Sequence, residues 1–219
     1  YWTQTSGAPT PGNYHERGAG PFADDDAAWQ GIGREHLAIF EGFARQVEFT
    51  RALRRVIEWG CGGGSNALSF APKTDEFVGI DVSPQILEEC TAQLQRAGLD
   101  NFSPVLVDVT DIEPVVQRFA GSCDLFLCTY VYELLPSKTH GLRLLAAAGE
   151  MLRPGGMAVI QIKSDTGELR TRARRWDYAR HVANNTTYRI DEFWVEAARL
   201  GLIPRGVFLM PVAAVVADE

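Results

Sequence analysis

Val56-Ile57-Glu58-Trp59-Gly60-Cys61-Gly62-Gly63-Gly64 is the stretch that decides how this chain folds. Val56 to Trp59 has the apolar character of a short buried strand, interrupted only by Glu58. Gly60 to Gly64 form a turn, and Ser65, Asn66 and the apolar run Ala67, Leu68, Phe70 and Ala71 open a helix. Strand, glycine turn and helix start together make a site for a nucleotide-like ligand: glycines let backbone approach the ligand closely, and a helix start presents free N–H groups. The next expected strand, Glu76 to Ile80, ends at Asp81. An acid about 20 positions beyond the turn is where a ribose diol would be held.

Working outward, apolar runs alternate with helical patterns. Strands are expected at 56–59, 76–80, 103–107, 124–129 and 157–162, and helices at 65–71, 84–97, 111–119, 138–152 and 188–200. Short continuous apolar runs between helices imply strands buried on both faces, hence a parallel sheet. Ser83 and Pro84 suit a helix start, and Gly98 and Gly201 suit helix ends. Two last runs, Gly206–Met210 and Val212–Val216, are separated by Pro211 and predict a C-terminal antiparallel strand pair. The fold class is α/β, a doubly wound, mostly parallel seven-stranded sheet.

Before the first strand, residues 1–26 form an irregular arm rich in Gly, Pro, Asp and aromatics, and Asp24, Asp25 and Asp26 are placed to cap a helix from Ala27 to about Thr50. Leu37, Phe40, Ala44 and Val47 give that helix an apolar face. Arm and helix (1–50) are expected to act as a lid on the core (51–219), which carries an insertion near 164–188. With 219 residues and no repeat or linker, the whole chain 1–219 is expected to form a single domain.

The chain is 46% hydrophobic and 22% charged, ordinary for a globular protein, with a net charge of −7. An acidic balance disfavours phosphate-driven binding to nucleic acid. No apolar stretch is long enough to cross a bilayer, and there is no signal-peptide pattern. The sequence begins at Tyr1 rather than Met, so residues before it are expected. Cys61, Cys90, Cys123 and Cys128 lack metal-ligand spacing and fit a reducing, cytoplasmic setting; no metal site is expected.

The dinucleotide fingerprint G-x-G-x-x-G fails here, because its third glycine is replaced by Ser65. Glycines fall instead at 60, 62 and 64, with Glu58 two residues ahead. This E-x-G-x-G-x-G run resembles motif I of class I S-adenosylmethionine-dependent methyltransferases. Gly-Ile-Asp-Val-Ser around Asp81, Val-Leu-Val-Asp-Val around Asp108 and Leu-Arg-Pro-Gly-Gly at 152–156 are similar to later segments of that family. The resemblance covers residues 52–163 and the tail in outline. It implies a Rossmann-like fold and S-adenosylmethionine as cofactor, held by Glu58, Gly60, Cys61 and Gly62, by Asp81 with Val82 at the ribose, by Asp108 with Val109 at adenine, and by Cys128 and Tyr130 under the methionine moiety. Tyr14 of the arm is a further expected contact. Helix capping is an alternative role for Asp81 and Asp108.

The acceptor side is less determined. Many members of the family place a histidine after the fourth strand, where this chain has Tyr132 and Glu133. Glu133 is the expected general base by position, with Tyr132 beside it; both can equally be structural. His15 and His36, from the arm and first helix, are alternatives able to reach an acceptor; His140 lies in an expected helix and is read as a solvated helix residue, and His181 falls at the end of the arginine stretch. Arg170, Arg172, Arg174, Arg175 and Arg180, interleaved with Trp176 and Tyr178, can grip a carboxylate or phosphate or form a solvated basic face. The expected activity is methyl transfer to oxygen or nitrogen of a small molecule. Alternatives are an RNA or tRNA methyltransferase using the arginine stretch, or a non-catalytic S-adenosylmethionine-binding protein.

Overall fold

A computed structural model describes residues 25–173 and 186–210. Its frame is a parallel sheet of β1 (Arg55–Trp59), β2 (Glu76–Asp81), β3 (Phe102–Leu106), β4 (Cys123–Cys128) and β5 (Leu152–Ile160), in the order β3-β2-β1-β4-β5. Among the described residues six α-helices accompany it: α1 (Asp26–Gln46), α2 (Ser65–Phe70), α3 (Pro84–Arg96), α4 (Glu113–Phe119), α5 (Lys138–Met151) and α6 (Ile190–Arg199). The strand order reverses between β1 and β4, which makes a crevice at the carboxyl ends of those strands.

Alternation along each strand feeds two cores. Val56, Phe77 and Leu125 face one layer with Phe40 of α1, Phe70 of α2 and Leu94 of α3. Ile57, Val78 and Phe126 face the other, with Phe119 of α4 and Leu144 and Met151 of α5. Burial on both faces is why these strands appear as unbroken apolar runs. Glu58 shares the face of Val56 and so points toward α1 and α2.

Helix boundaries follow local chemistry. The Asp25 carboxylate accepts from the Ala28 N–H at 2.8 Å and caps α1, as the acid cluster predicts. Ser83 caps α3 ahead of Pro84. The Pro-Gly-Gly segment, expected to be a turn before the fifth strand, is a bulge within it: β5 advances from Leu152 to Met157 while β4 advances from Cys123 to Leu125. At this amino-terminal end of the sheet the buried Asp124 carboxylate accepts from the Arg54 and Arg55 N–H groups at 2.8 and 3.1 Å and pairs with Arg153 at 3.2 Å.

Five of the seven expected strands are seen among the described residues. Gly206–Met210 carries no strand, and Val207, Phe208 and Leu209 are exposed. An apolar run becomes a strand only where a sheet edge takes its backbone groups, and no described strand pairs with it. Val212–Val216 lies outside the described residues, as do most of the arm, with Tyr1, Trp2, Tyr14, His15 and Phe22, and Arg174, Arg175, Trp176, Tyr178, Arg180 and His181.

Helix α1 is not a detached cover. At Gly33 it meets α2 so closely that a Cβ there would stand 1.9 Å from the Ser65 carbonyl oxygen. The Ser65 hydroxyl accepts from the Gly33 N–H at 2.9 Å and donates to the Trp29 carbonyl at 2.8 Å. Those two groups, four residues apart, are ones an α-helix ordinarily pairs with each other. Gly33→Ala must therefore push α1 off α2. We expect a loss of about 1–3 kcal/mol in urea unfolding, the scale of an overpacked contact, while Gly42→Ala, which meets nothing within 4 Å, stays near the parent value.

Candidate functional site

The crevice at the switch point opens into a cavity of about 970 Å³, at the upper end of the roughly 300–1,000 Å³ range of small-molecule sites. Its walls come from the ends of β1, β2 and β4, from α1, and from α5. Apolar side chains dominate, among them Trp29, Ile32, Val107, Val131 and Leu144.

The glycine turn forms one wall. Gly60, Gly62 and Gly64 have φ of 79°, 52° and 99°, a region in which a Cβ is disfavoured. Space agrees with conformation at two of them. A Cβ on Gly60 would fall 2.3 Å from Val131 Cγ2, and one on Gly64 would fall 2.8 Å from Cys90 Sγ. The turn rests on β2 at Gly79, where an added Cβ would lie 2.6 Å from the Phe102 ring and 2.9 Å from Cys61 Sγ.

Two carboxylates converge on this turn. Asp81 is buried at the end of β2; its Oδ1 accepts from the Val82 and Ser83 N–H groups at 2.7 and 3.1 Å, and its Oδ2 accepts from the Gly62 N–H at 3.2 Å. Glu58 is 2% exposed at the end of β1. Its Oε1 accepts from Asn66 Nδ2 at 2.5 Å, and its Oε2 has no hydrogen-bond partner among the described residues. Burial, and further the charge of Asp81, push the Glu58 carboxyl up to about 8, against the pull of the Asn66 hydrogen bond.

Asn66 is a hub. Its Nδ2 also donates to Thr129 Oγ1 at 3.0 Å, and its Oδ1 lies 2.8 Å from His36 Nδ1. The His36 ring tilts against the Tyr130 ring with centroids 5.6 Å apart. Burial holds the imidazole below its ordinary range, opposed by Asn66 and by the Glu35 charge. Tyr130 is a non-glycine residue at φ 57°, and its N–H donates to Gln161 Oε1 at 3.3 Å.

Glu58, Gly60, Cys61, Gly62, Asp81, Val82, Val109 and Tyr130 all line the cavity, as does His36. Others expected at the site do not. Tyr132 is fully buried and packs edge-on against Tyr188 and Phe193, and Glu133 is buried with its carbonyl accepting from the Thr186 N–H. Neither reaches the cavity wall, because the one-turn 3-10 helix at Tyr132–Leu134 carries them into the layer beneath. Cys128 is likewise buried in the sheet, its thiol pushed up by burial. Asp108 is exposed beside the cavity; its Oδ1 accepts from the Thr110 N–H and hydroxyl, which hold the carboxyl below its usual range. Sequence reasoning placed Thr129 within the Cys128–Tyr130 segment but missed Asn66 as a site residue. The signal available was the polar pair Ser65 and Asn66 between the glycine turn and the apolar run of the helix.

A buried acid pair beside a glycine turn does not suit a pyrophosphate, because like charges repel strongly in a site of low dielectric. It leaves the Glu58 Oε2 oxygen available to a ligand's donor. Fold and site together are similar to those of class I S-adenosylmethionine-dependent methyltransferase domains. Residues 56–156 match the family model described as a methyltransferase domain.

Among curated proteins, the chain is similar to the ubiquinone biosynthesis O-methyltransferase of Xanthomonas oryzae pv. oryzae, 26% identical over 155 residues that cover 68% of this chain and 61% of that protein. The protein of the same description from Neisseria meningitidis is 33% identical over 105 residues, covering 48% of this chain and 42% of the relative. The chain therefore spans about three fifths or less of the length of these relatives. Among solved structures, the YcgJ protein of Bacillus subtilis shares the fold with a TM-score of 0.56 at 18% identity, over 74% of this chain and 68% of that one. A Haemonchus contortus phosphoethanolamine N-methyltransferase, solved with S-adenosylhomocysteine, does so with a TM-score of 0.60 at 16% identity, over 77% and 37% of the two chains.

Burying Glu58 costs the fold stability. A carboxyl whose folded pKa is raised stays neutral in the fold while the unfolded chain ionises, so stability falls as pH rises from about 4.5 through about 8. Glu58→Gln keeps the acceptor for Asn66 and removes the penalty. Thermal unfolding should show the variant more stable at pH 8, by on the order of 4 kcal/mol, with the difference gone below pH 4.5.

Proposed function

We propose that the chain transfers a methyl group from S-adenosylmethionine to a small-molecule acceptor, with oxygen favoured over nitrogen as the atom methylated. The observation that carries this reading is the convergence of Glu58 and Asp81 on a positive-φ glycine turn beside a large, mostly apolar cavity. Asp81 would hold the ribose diol, and Glu58 Oε2 would accept from the ammonium of the methionine moiety. Val82 and Val109 would contact adenine, and Asp108 has Oδ2 left for its amino group once Thr110 has taken Oδ1. Backbone at Gly60 to Gly62 and the Tyr130 side chain would flank the methionine moiety.

When bound, the cofactor supplies an electrophilic methyl on a sulfonium, whose departure leaves a neutral thioether. The chain's own task is to align an acceptor in line with that methyl and to exclude water. Trp29, Ile32, Val131 and Leu144 supply the apolar walls for this, and α5 adds Arg143 at the mouth as a cationic contact. The two relatives described as O-methyltransferases support oxygen as the acceptor atom. Four free, buried cysteines support a reducing compartment such as the cytoplasm. No helix among the described residues is long and apolar enough to cross a membrane, and no described group of His, Cys, Asp or Glu is arranged to hold a metal ion.

Isothermal calorimetry tests the cofactor assignment. Asp81→Ala should weaken S-adenosylmethionine binding by about 1–3 kcal/mol, the scale of a lost hydrogen bond to a charged group. Unchanged affinity in a folded variant removes Asp81 from the ribose. Below pH 8, where Glu58 is mostly protonated in the free protein, affinity should also rise with pH, by up to about tenfold per unit, because the ammonium is met by the ionised carboxylate.

A further inference from the structure

An alcohol or phenol attacked at oxygen must shed a proton, and none of the expected acids is placed to take it. Glu133 is turned under the cavity wall, Asp81 already accepts from three backbone N–H groups, and Asp108 is engaged with Thr110 outside the cavity. His140 lines the mouth but is exposed, its Nδ1 paired with the Ser137 hydroxyl at 2.8 Å.

His36 differs from all of these. It projects from α1 and is only 7% exposed, and its exposed remainder opens on the cavity. Its tautomer is set by a chain of bonds that begins in the sheet. Glu58 Oε1 and Thr129 Oγ1 both lie against Asn66 Nδ2, which orients the amide. The Asn66 oxygen therefore faces His36 Nδ1 at 2.8 Å. An amide oxygen only accepts, so Nδ1 carries the hydrogen and Nε2 of the neutral ring holds a lone pair. Nε2 has no hydrogen-bond partner among the described residues.

We propose that His36 is the general base for an O–H acceptor, with Nε2 as the proton-accepting atom and Asn66 as the positioning residue that fixes its tautomer. This rests on the methyl-transfer reading above and narrows the acceptor to an alcohol or phenol, since a neutral amine already offers a lone pair. The O–CH3 bond forms as the S–CH3 bond breaks, the electron pair returns to sulfur, and the hydroxyl proton passes to Nε2 and then to solvent. The imidazolium formed is held by Asn66 Oδ1, behind which stands Glu58. Other charged or titratable groups around the ring are Glu35 on α1, Asp81 from β2, Tyr130 after β4, and His140 and Arg143 from α5. Burial keeps His36 neutral below its ordinary pKa, so it is ready to accept at pH 7.

The first test needs no acceptor. Nitrogen-15 NMR of imidazole-labelled full chain at pH 7.5 should show His36 neutral with hydrogen on Nδ1, and Asn66→Ala should abolish that preference. A neutral ring with hydrogen on Nε2, or a charged ring, overturns the proposal. The second test is calorimetry with S-adenosylmethionine: His36→Gln should bind it within about twofold of the parent. A tenfold or greater loss would make His36 a cofactor ligand instead, and overturn the base. Failure of the parent chain to bind S-adenosylmethionine would sink the methyl-transfer reading itself, which the NMR result does not depend on. The third is methyl transfer from radiolabelled S-adenosylmethionine to a panel of phenols and catechols. His36→Gln should lower kcat by about 100-fold or more toward phenol, and by much less toward 4-nitrophenol, which is ionised before it binds. An equal loss toward both overturns proton transfer as its role.

Discussion

A single hydroxyl ties the two halves of the cavity together. Ser65, the first residue of α2, sits between a carbonyl and an N–H of α1, taking the place of a turn of that helix's own ladder. The glycine turn runs straight into Ser65, so the turn and the opposite wall of the cavity share one anchor. Gly33 makes the anchor possible by leaving room for the α2 backbone. The next residue, Asn66, uses the proximity so gained to join Glu58 of the sheet to His36 of α1. Without close docking of α1, neither the hub nor the ring it orients would have a fixed position.

Electrostatics at the same place run against the empty protein. Glu58 is enclosed with one oxygen unsatisfied and with Asp81 close enough to oppose its ionisation. Such an arrangement costs stability and gains selectivity, because an anionic ligand meets two acids and a cationic one relieves them. At the other end of the sheet the balance is reversed: Asp124 is buried but takes two backbone N–H groups and an arginine. The strands are thus fixed at their amino ends by backbone donors and an arginine, whereas at the carboxyl end of β1 the buried Glu58 Oε2 has no partner among the described residues.

The parallel sheet, its strand positions and the cavity-lining acids were legible in the sequence. Each depends on local pattern: apolar runs, glycine spacing and an acid at a strand end. Glu133 was misplaced for a different reason. Its position after β4 is correct, but one short helical turn rotates Tyr132 and Glu133 inward, and rotation over three residues leaves no periodic trace. His36 appeared only as one of several candidates, since its meeting with Asn66 joins segments 30 residues apart. The bulge in β5 looked like a turn because Pro-Gly-Gly signals a bend without saying whether pairing resumes on both sides. The C-terminal strand pair was inferred from apolarity alone; Val207 to Leu209 are exposed outside any described strand, and the second run lies outside the described residues.

Gly79 gives the sheet a gap that two distant parts of the chain fill. The Phe102 ring, from the edge strand, and the Cys61 thiol, from the glycine turn, share the volume that a side chain on β2 would have taken. The ring therefore works as a shim under the turn, and its size sets how deeply the turn can settle. A change in the size of residue 102, on the edge strand, is thereby expected to be felt at Cys61 in the glycine turn.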